Sequence, residues 1–236
     1  MTKLLENRIA LVTGASRGIG AAVARRFAEE GATVVATART VGGLEELDDA
    51  ILESSGQRAT LVPMDLRQFD QIDNLGHALY ERFGKLDIVV GNAGFISELT
   101  PTWLMDPDSW SRMLDVNLTA NARLIRSMDP LLRQSEAGRS IYVTCDMGKD
   151  PRPFWSFYGA TKAALENLVS AYAAEIQQSS MRVNLINPGP VSTATRSKAF
   201  PGEDPANLKS PDDVTDAFVQ MATASFQDNA TYVRAQ

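Results

Sequence analysis

The stretch from Arg8 to Gly31 constrains the fold more than any other part of the chain. A continuous apolar run, IALVT at 9–13, meets the turn GASRGIG at 14–20 and then AAVARRFAEE, whose apolar residues recur with helical spacing until Gly31 closes the pattern. The order is strand, glycine turn, helix. Gly14, Gly18 and Gly20 let the backbone turn tightly and let a pyrophosphate approach the helix N-terminus, where free amides and the helix dipole favour anions.

The same alternation runs to the end of the chain. ATVVATART (32–40) reads as a strand, 42–54 as a helix, 59–64 as a strand, 69–83 as an amphipathic helix, and 86–90 as a buried strand running into Gly91, Asn92, Ala93 and Gly94. A long helical pattern covers 103–134, with Pro130 expected to bend its last part. A strand at 141–144, a second long helix at 156–178 and a strand from 182 that stops at Asn187, Pro188 and Gly189 come next. A last helix (212–224) and a short strand (230–233) finish the chain. Strands alternating with helices and joined by right-handed crossovers give an α/β fold, a doubly wound parallel sheet of about seven strands. The expectation is one domain over 1–236, with the aperiodic Thr-, Pro- and Gly-bearing segment 190–209 as a substrate lid.

Such sheets bind ligands at the carboxyl ends of their strands. Ala38 stands where an Asp or Glu would bond the adenosine ribose of NAD, and Arg39 follows it. Together with Arg17, Arg39 offers two guanidiniums suited to a 2′-phosphate, which favours NADP(H) over NAD. Asp65 either bonds the adenine amino group or caps the following helix. Asn117 falls in mid-helix and needs a reason: a local backbone bond, a buried polar link, or a water held toward the site.

The chemistry concentrates in IYVTCDMGKDPRPFWSFYGATK (141–162). Tyr158 and Lys162 are four residues apart, so a helix puts phenol and ammonium on one face, where the cation is expected to lower the phenol's pKa. Cys145, just past the strand, reaches the mouth of the same pocket, either as a weak hydrogen-bond donor or as a small buried hydrophobe. Thr144 and Ser156 are not obvious replacements for it. Phe95, Phe154, Trp155 and Phe157 suggest an apolar aromatic pocket, and no nearby cation marks a carboxylate or phosphate substrate.

Composition narrows the partners. A net charge of -6 argues against nucleic acid, whose binding needs clustered Lys and Arg. One Cys excludes an internal disulfide, and one His with one Cys excludes an ordinary zinc site. The N-terminal apolar pieces, broken by Glu6, Asn7 and Arg8, fit neither a signal peptide nor a membrane span, so a cytoplasmic protein with no membrane partner is expected.

In this order and spacing, TGASRGIG, Asp65, NAG at 92–94, Asn117, YGATK at 158–162 and NPG at 187–189 with Val191 and Thr193 resemble the single-domain short-chain dehydrogenases/reductases over nearly the whole chain. The resemblance implies hydride transfer between the nicotinamide of NADP(H) and a small-molecule carbonyl or secondary alcohol. Tyr158 would be the acid or base. Lys162 would tune it and hold the nicotinamide ribose, Asn117 would hold a water behind Lys162, and Cys145 would stand where the family has a serine bonding the reacting oxygen. Cofactor contacts would come from Gly14, Ser16, Arg17, Gly18, Ile19 and Gly20, then Arg39, Asp65 and Leu66, then Asn92, Ala93 and Gly94, and finally Pro188, Gly189, Val191 and Thr193 beside Tyr158 and Lys162. Two other departures stand out. Gly91 replaces a frequent Asn, with a local structural effect expected, and the end of the chain lacks a glycine-rich segment, which leaves tetramer assembly in doubt and a homodimer as the expected association. The alternative to an enzyme is an NADP(H)-binding sensor or interaction subunit with little turnover, motivated by Cys145.

Overall fold

The computed structural model describes residues 3–236. In chain order the elements are β1 (Ile9–Thr13), α1 (Gly18–Glu29), β2 (Thr33–Ala38), α2 (Val41–Ser55), β3 (Thr60–Pro63), α3 (Phe69–Phe83), β4 (Ile88–Gly91), α4 (Pro107–Leu114), α5 (Ala120–Leu132), β5 (Arg139–Val143), α6 (Ser156–Glu175), β6 (Arg182–Asn187), α7 (Ala194–Ala199), α8 (Thr215–Ala222) and β7 (Tyr232–Arg234). The strands form one parallel sheet in the order β3-β2-β1-β4-β5-β6-β7. The apolar runs are strands because both of their faces are covered. Ala10 and Val12 pack with Val23, Phe27, Leu44 and Phe218 in one helical layer, while Leu11 packs with Ile72, Leu124, Leu165 and Val169 in the other. The sheet winds outward both ways from β1 and β4, so the loops after these two strands part and leave a crevice.

The structure departs from the sequence expectation mainly over 103–134. Trp103 lies in a short 3-10 turn and is 83% exposed. The helix begins at Pro107, because the Asp106 side chain accepts the Ser109 N–H at 2.9 Å and proline suits the first helical turn. Between α4 and α5 the chain widens into a π turn at Asp115–Thr119, in which the Ala120 N–H bonds the Asp115 carbonyl. Segment 190–209 is also not irregular throughout, since it contains α7, capped by Thr193, and a 3-10 turn at Pro205–Asn207. The last helix is a 3-10 turn at Asp212–Val214 followed by α8.

Gly91 has a physical reason. A Cβ there would sit 2.5 Å from Cδ1 of Tyr142 and 2.6 Å from Oδ1 of Asn121, so the buried Tyr142 ring fills the space a side chain would need.

Candidate active site

A cleft of about 580 Å³ lies over the carboxyl ends of the strands. Every residue proposed from sequence for catalysis or cofactor contact lines it, with the single exception of Asn117.

At one end the loops after β1 and β4 are laced together. The Thr13 hydroxyl accepts the N–H groups of Asn92 (3.0 Å) and Ala93 (3.1 Å), and the Asn92 amide donates to the Thr13 carbonyl at 2.9 Å. A Cβ on Gly20 would lie 2.3 Å from the Gly14 carbonyl oxygen, and one on Gly14 would lie 2.9 Å from Cα of Ala93, so only glycine permits this close approach of backbones. Arg17 and Arg39 are exposed and have no acidic partner among the described residues. Asp65, in contrast, is engaged. It accepts the Arg67 backbone N–H at 3.0 Å and the Arg67 guanidinium at 2.7 Å, and that side-chain bond holds its carboxyl below the usual range against some opposing burial. Asp65 closes a turn on Arg67 and does not cap α3, whose N-cap is Gln68 without a side-chain bond, which corrects the capping reading.

At the other end α6 presents Tyr158, Lys162 and Glu166 at successive four-residue steps. Lys162 is buried and its Nζ donates to the Val143 carbonyl at 2.9 Å, which ties α6 to the tip of β5. Burial lowers the Lys162 pKa, while Cys145 and Glu166 act in the opposite direction. The phenol of Tyr158 is raised above its ordinary value, first by burial and then by the charge and hydrogen bond of Cys145. This corrects the expectation of a lowered phenol. The Lys162 ammonium stands 5.7 Å from the Tyr158 ring centroid and is bonded to β5, so desolvation outweighs it. The Cys145 thiol is pushed up by burial, with Lys162 pulling it down. Thr144 donates its hydroxyl to Glu166 at 2.6 Å and is not free to stand in for Cys145, while Ser156, which accepts the Thr102 hydroxyl at 3.0 Å, does not line the cleft.

Asn117 is fully buried behind the cleft wall. Its amide donates to the Phe95 carbonyl (2.9 Å) and the Thr161 hydroxyl (3.0 Å), while its Oδ1 accepts the Phe95 N–H (2.8 Å). Its own carbonyl accepts from the Asn121 amide at 2.9 Å. The side chain therefore clamps the loop after β4 to α6, which is the buried polar link among the readings of Asn117. Glu166, which buries a carboxylate one turn beyond Lys162, was missed from sequence; its signal is the same four-residue step.

The aromatic lining differs from the expectation. Phe95, Trp155 and Phe200 line the cleft, and Trp155 lies 5.4 Å from Phe200 of the 190–209 segment. Phe154 points away, 54% exposed in the left-handed region (φ 73), and Phe157 stacks on Trp110 at 5.5 Å. Cations are present as well, since Arg112 and Arg152 line the same end, contrary to the expectation of none.

Among the described residues no group of three or more His, Cys, Asp or Glu is placed to hold a metal ion. Among the described residues no helix is long and apolar enough to cross a membrane. The family model described as short chain dehydrogenase matches residues 8–204. An uncharacterized oxidoreductase of Escherichia coli K12, YciK, is 36% identical over 220 residues, which is 92% of this chain and 87% of that protein. A short chain dehydrogenase of Shigella flexneri 2a complexed with NADP superposes with a TM-score of 0.96 at 33% identity over 100% of both chains. One of Escherichia coli CFT073 complexed with NADPH does so with a TM-score of 0.96 at 34% identity, over 100% of this chain and 99% of the other.

Proposed function

Because the chain belongs to the short chain dehydrogenases, a family of oxidoreductases, we propose that it transfers a hydride between NADP(H) and a carbonyl or secondary alcohol carbon. The observation that carries this reading is the convergence of Tyr158, Lys162 and Cys145 on the cleft that the glycine turn opens. The donor set fits NADP(H). Ala38 leaves no carboxylate to repel a 2′-phosphate, Arg17 and Arg39 are unpaired at that end, and Gly14 and Gly20 leave backbone exposed to a pyrophosphate. The NADP and NADPH complexes of similar proteins support the same choice.

When bound, the nicotinamide supplies or accepts the hydride. Tyr158 gives its proton to the carbonyl oxygen; burial raises the phenol, so it is protonated at neutral pH and is a weaker acid than a free phenol. Lys162, fixed on Val143, holds the nicotinamide ribose and a positive charge beside the phenol. Cys145 donates a weak hydrogen bond to the reacting oxygen. Val191 and Thr193 hold the carboxamide, and Asn117 acts as a positioning residue through Phe95 and Thr161. Segment 190–209 closes over the substrate with Phe200 against Trp155.

The test is NADPH consumption with a panel of aldehydes and ketones, comparing the wild type with Tyr158→Phe. General acid catalysis is worth about 10²- to 10⁴-fold, so a loss of that order is expected, and equal rates in the two proteins would sink the reading. The thiol at Cys145 favours a second reading, an NADP(H)-binding protein with little turnover, which Cys145→Ser separates below.

A further inference from the structure

We propose that the carbonyl substrate carries a carboxylate, and that Arg112 is the residue that pairs with it. The inference rests on the oxidoreductase reading and names the substrate class of the same cleft.

Four buried side-chain polar atoms lack a partner among the described residues: Arg8 Nε, Thr37 Oγ1, Asp73 Oδ1 and Arg112 Nε. Of these only Arg112 lines the cleft. A buried donor without an acceptor is costly and calls for a reason. Arg112 stacks on the Phe95 ring with its guanidinium carbon 4.1 Å from the centroid, and it makes no ion pair or side-chain hydrogen bond with the described residues. The ring covers one side of the guanidinium. Nε itself is enclosed by protein, and the terminal N–H groups, which have no partner among the described residues, are what Arg112 offers to the two oxygens of a carboxylate.

The charges around it point the same way. Two of the acids at the substrate end already have their cations. Glu203 takes both bonds from Arg196 at 2.6 Å, and Asp146 accepts from Arg234 at 2.8 Å and Asn187 at 2.9 Å. Lys198 donates to the Ile96 carbonyl at 3.2 Å. Arg112 and the exposed Arg152 are left over, just as Arg17 and Arg39 are at the nucleotide end. The 2′-phosphate accounts for the second pair, and a substrate anion accounts for the first. Phe95, Trp155 and Phe200 supply the apolar surface for the body of the molecule, so the class is an apolar, preferably aromatic, oxo acid.

The experiment uses 4-formylbenzoate and its methyl ester. Their binding to the protein saturated with NADP+ is measured by calorimetry, and their reduction by NADPH absorbance. The acid is expected to bind about 10- to 100-fold more tightly than the ester, the range for a charge-assisted pair, with a matching difference in KM. Arg112→Gln should abolish that preference, and Arg112→Lys should restore only part of it. Equal binding of acid and ester by the wild type, binding of neither, or a preference that survives Arg112→Gln would overturn the proposal. If Arg112→Gln does not fold, the wild-type comparison still decides, because it needs no variant. Reduction of the ester without preference for the acid leaves the oxidoreductase reading standing. Acid binding without turnover of either probe refutes that reading alone.

Discussion

Replacing Cys145 with serine should speed carbonyl reduction. Cys145 follows β5 in an extended conformation (φ -158, ψ 171), half-buried beside Tyr158. Burial pushes its thiol up more strongly than Lys162 pulls it down, so at neutral pH it is an uncharged S–H and a weak donor. It does not repel the charge developing on the reacting oxygen, but it stabilises that charge little. A good donor at such a position is worth about 10²- to 10³-fold when it is deleted. The thiol supplies some of this, so the hydroxyl should recover roughly 10- to 100-fold in kcat, or about 1.4–2.7 kcal/mol of barrier. The assay is steady-state NADPH consumption with a saturating aldehyde, with a thermal melt as the control for folding. A serine variant that melts like the wild type and turns over within about twofold of it would refute the donor argument and favour the binding-protein reading.

Three further expectations follow from the geometry. Gly91→Ala forces a Cβ to within 2.5 Å of the Tyr142 ring, so the denaturant midpoint should fall by the equivalent of about 1–3 kcal/mol; an unchanged midpoint would show that Tyr142 yields freely. Glu166→Gln removes a charge that holds the Lys162 pKa up. If Lys162 must be cationic, activity is lost as pH rises through that pKa, so the alkaline limb of kcat should shift to lower pH, and a fixed limb would count against this coupling. Arg39→Ala should weaken NADPH by about 10-fold or more while sparing NADH, as read by fluorescence titration, and equal losses for the two would mean that Arg39 does not hold the 2′-phosphate.

The sheet was legible in the sequence because its strands are apolar runs buried on both faces and each ends in small or turn-forming residues. The region 103–134 was not, and the reason is specific. Trp103 and Leu104 continue the apolar count into a 3-10 turn where both are exposed, so periodicity alone starts the helix too early. The start signal was nevertheless there in Asp106 and Pro107, a cap followed by a first-turn proline. The six residues of α7 are too few to establish a helical period, which makes the segment look irregular. The direction of the Tyr158 shift was equally hidden, since a four-residue spacing reports the neighbouring cation but says nothing of how deeply the phenol is buried.

The cleft-lining residues were legible for a topological reason, because a parallel sheet gathers the ends of distant strands at one edge. What spacing leaves open is which way a helix turns. Arg112 and Val116 are four residues apart and both line the cleft, whereas Asn117 lies behind it. In a regular α-helix Arg112 and Asn117 stand about 140° apart, so placing Asn117 on the cleft side turns Arg112 away from it. Here the chain widens: Val116 and Asn117 both lie within the π turn at Asp115–Thr119, so that Val116 reaches the cleft while Asn117 clamps the loop after β4 to α6. Nothing in DVNLT announces that turn. It keeps Arg112 on the cleft side while Asn117 positions the wall behind it.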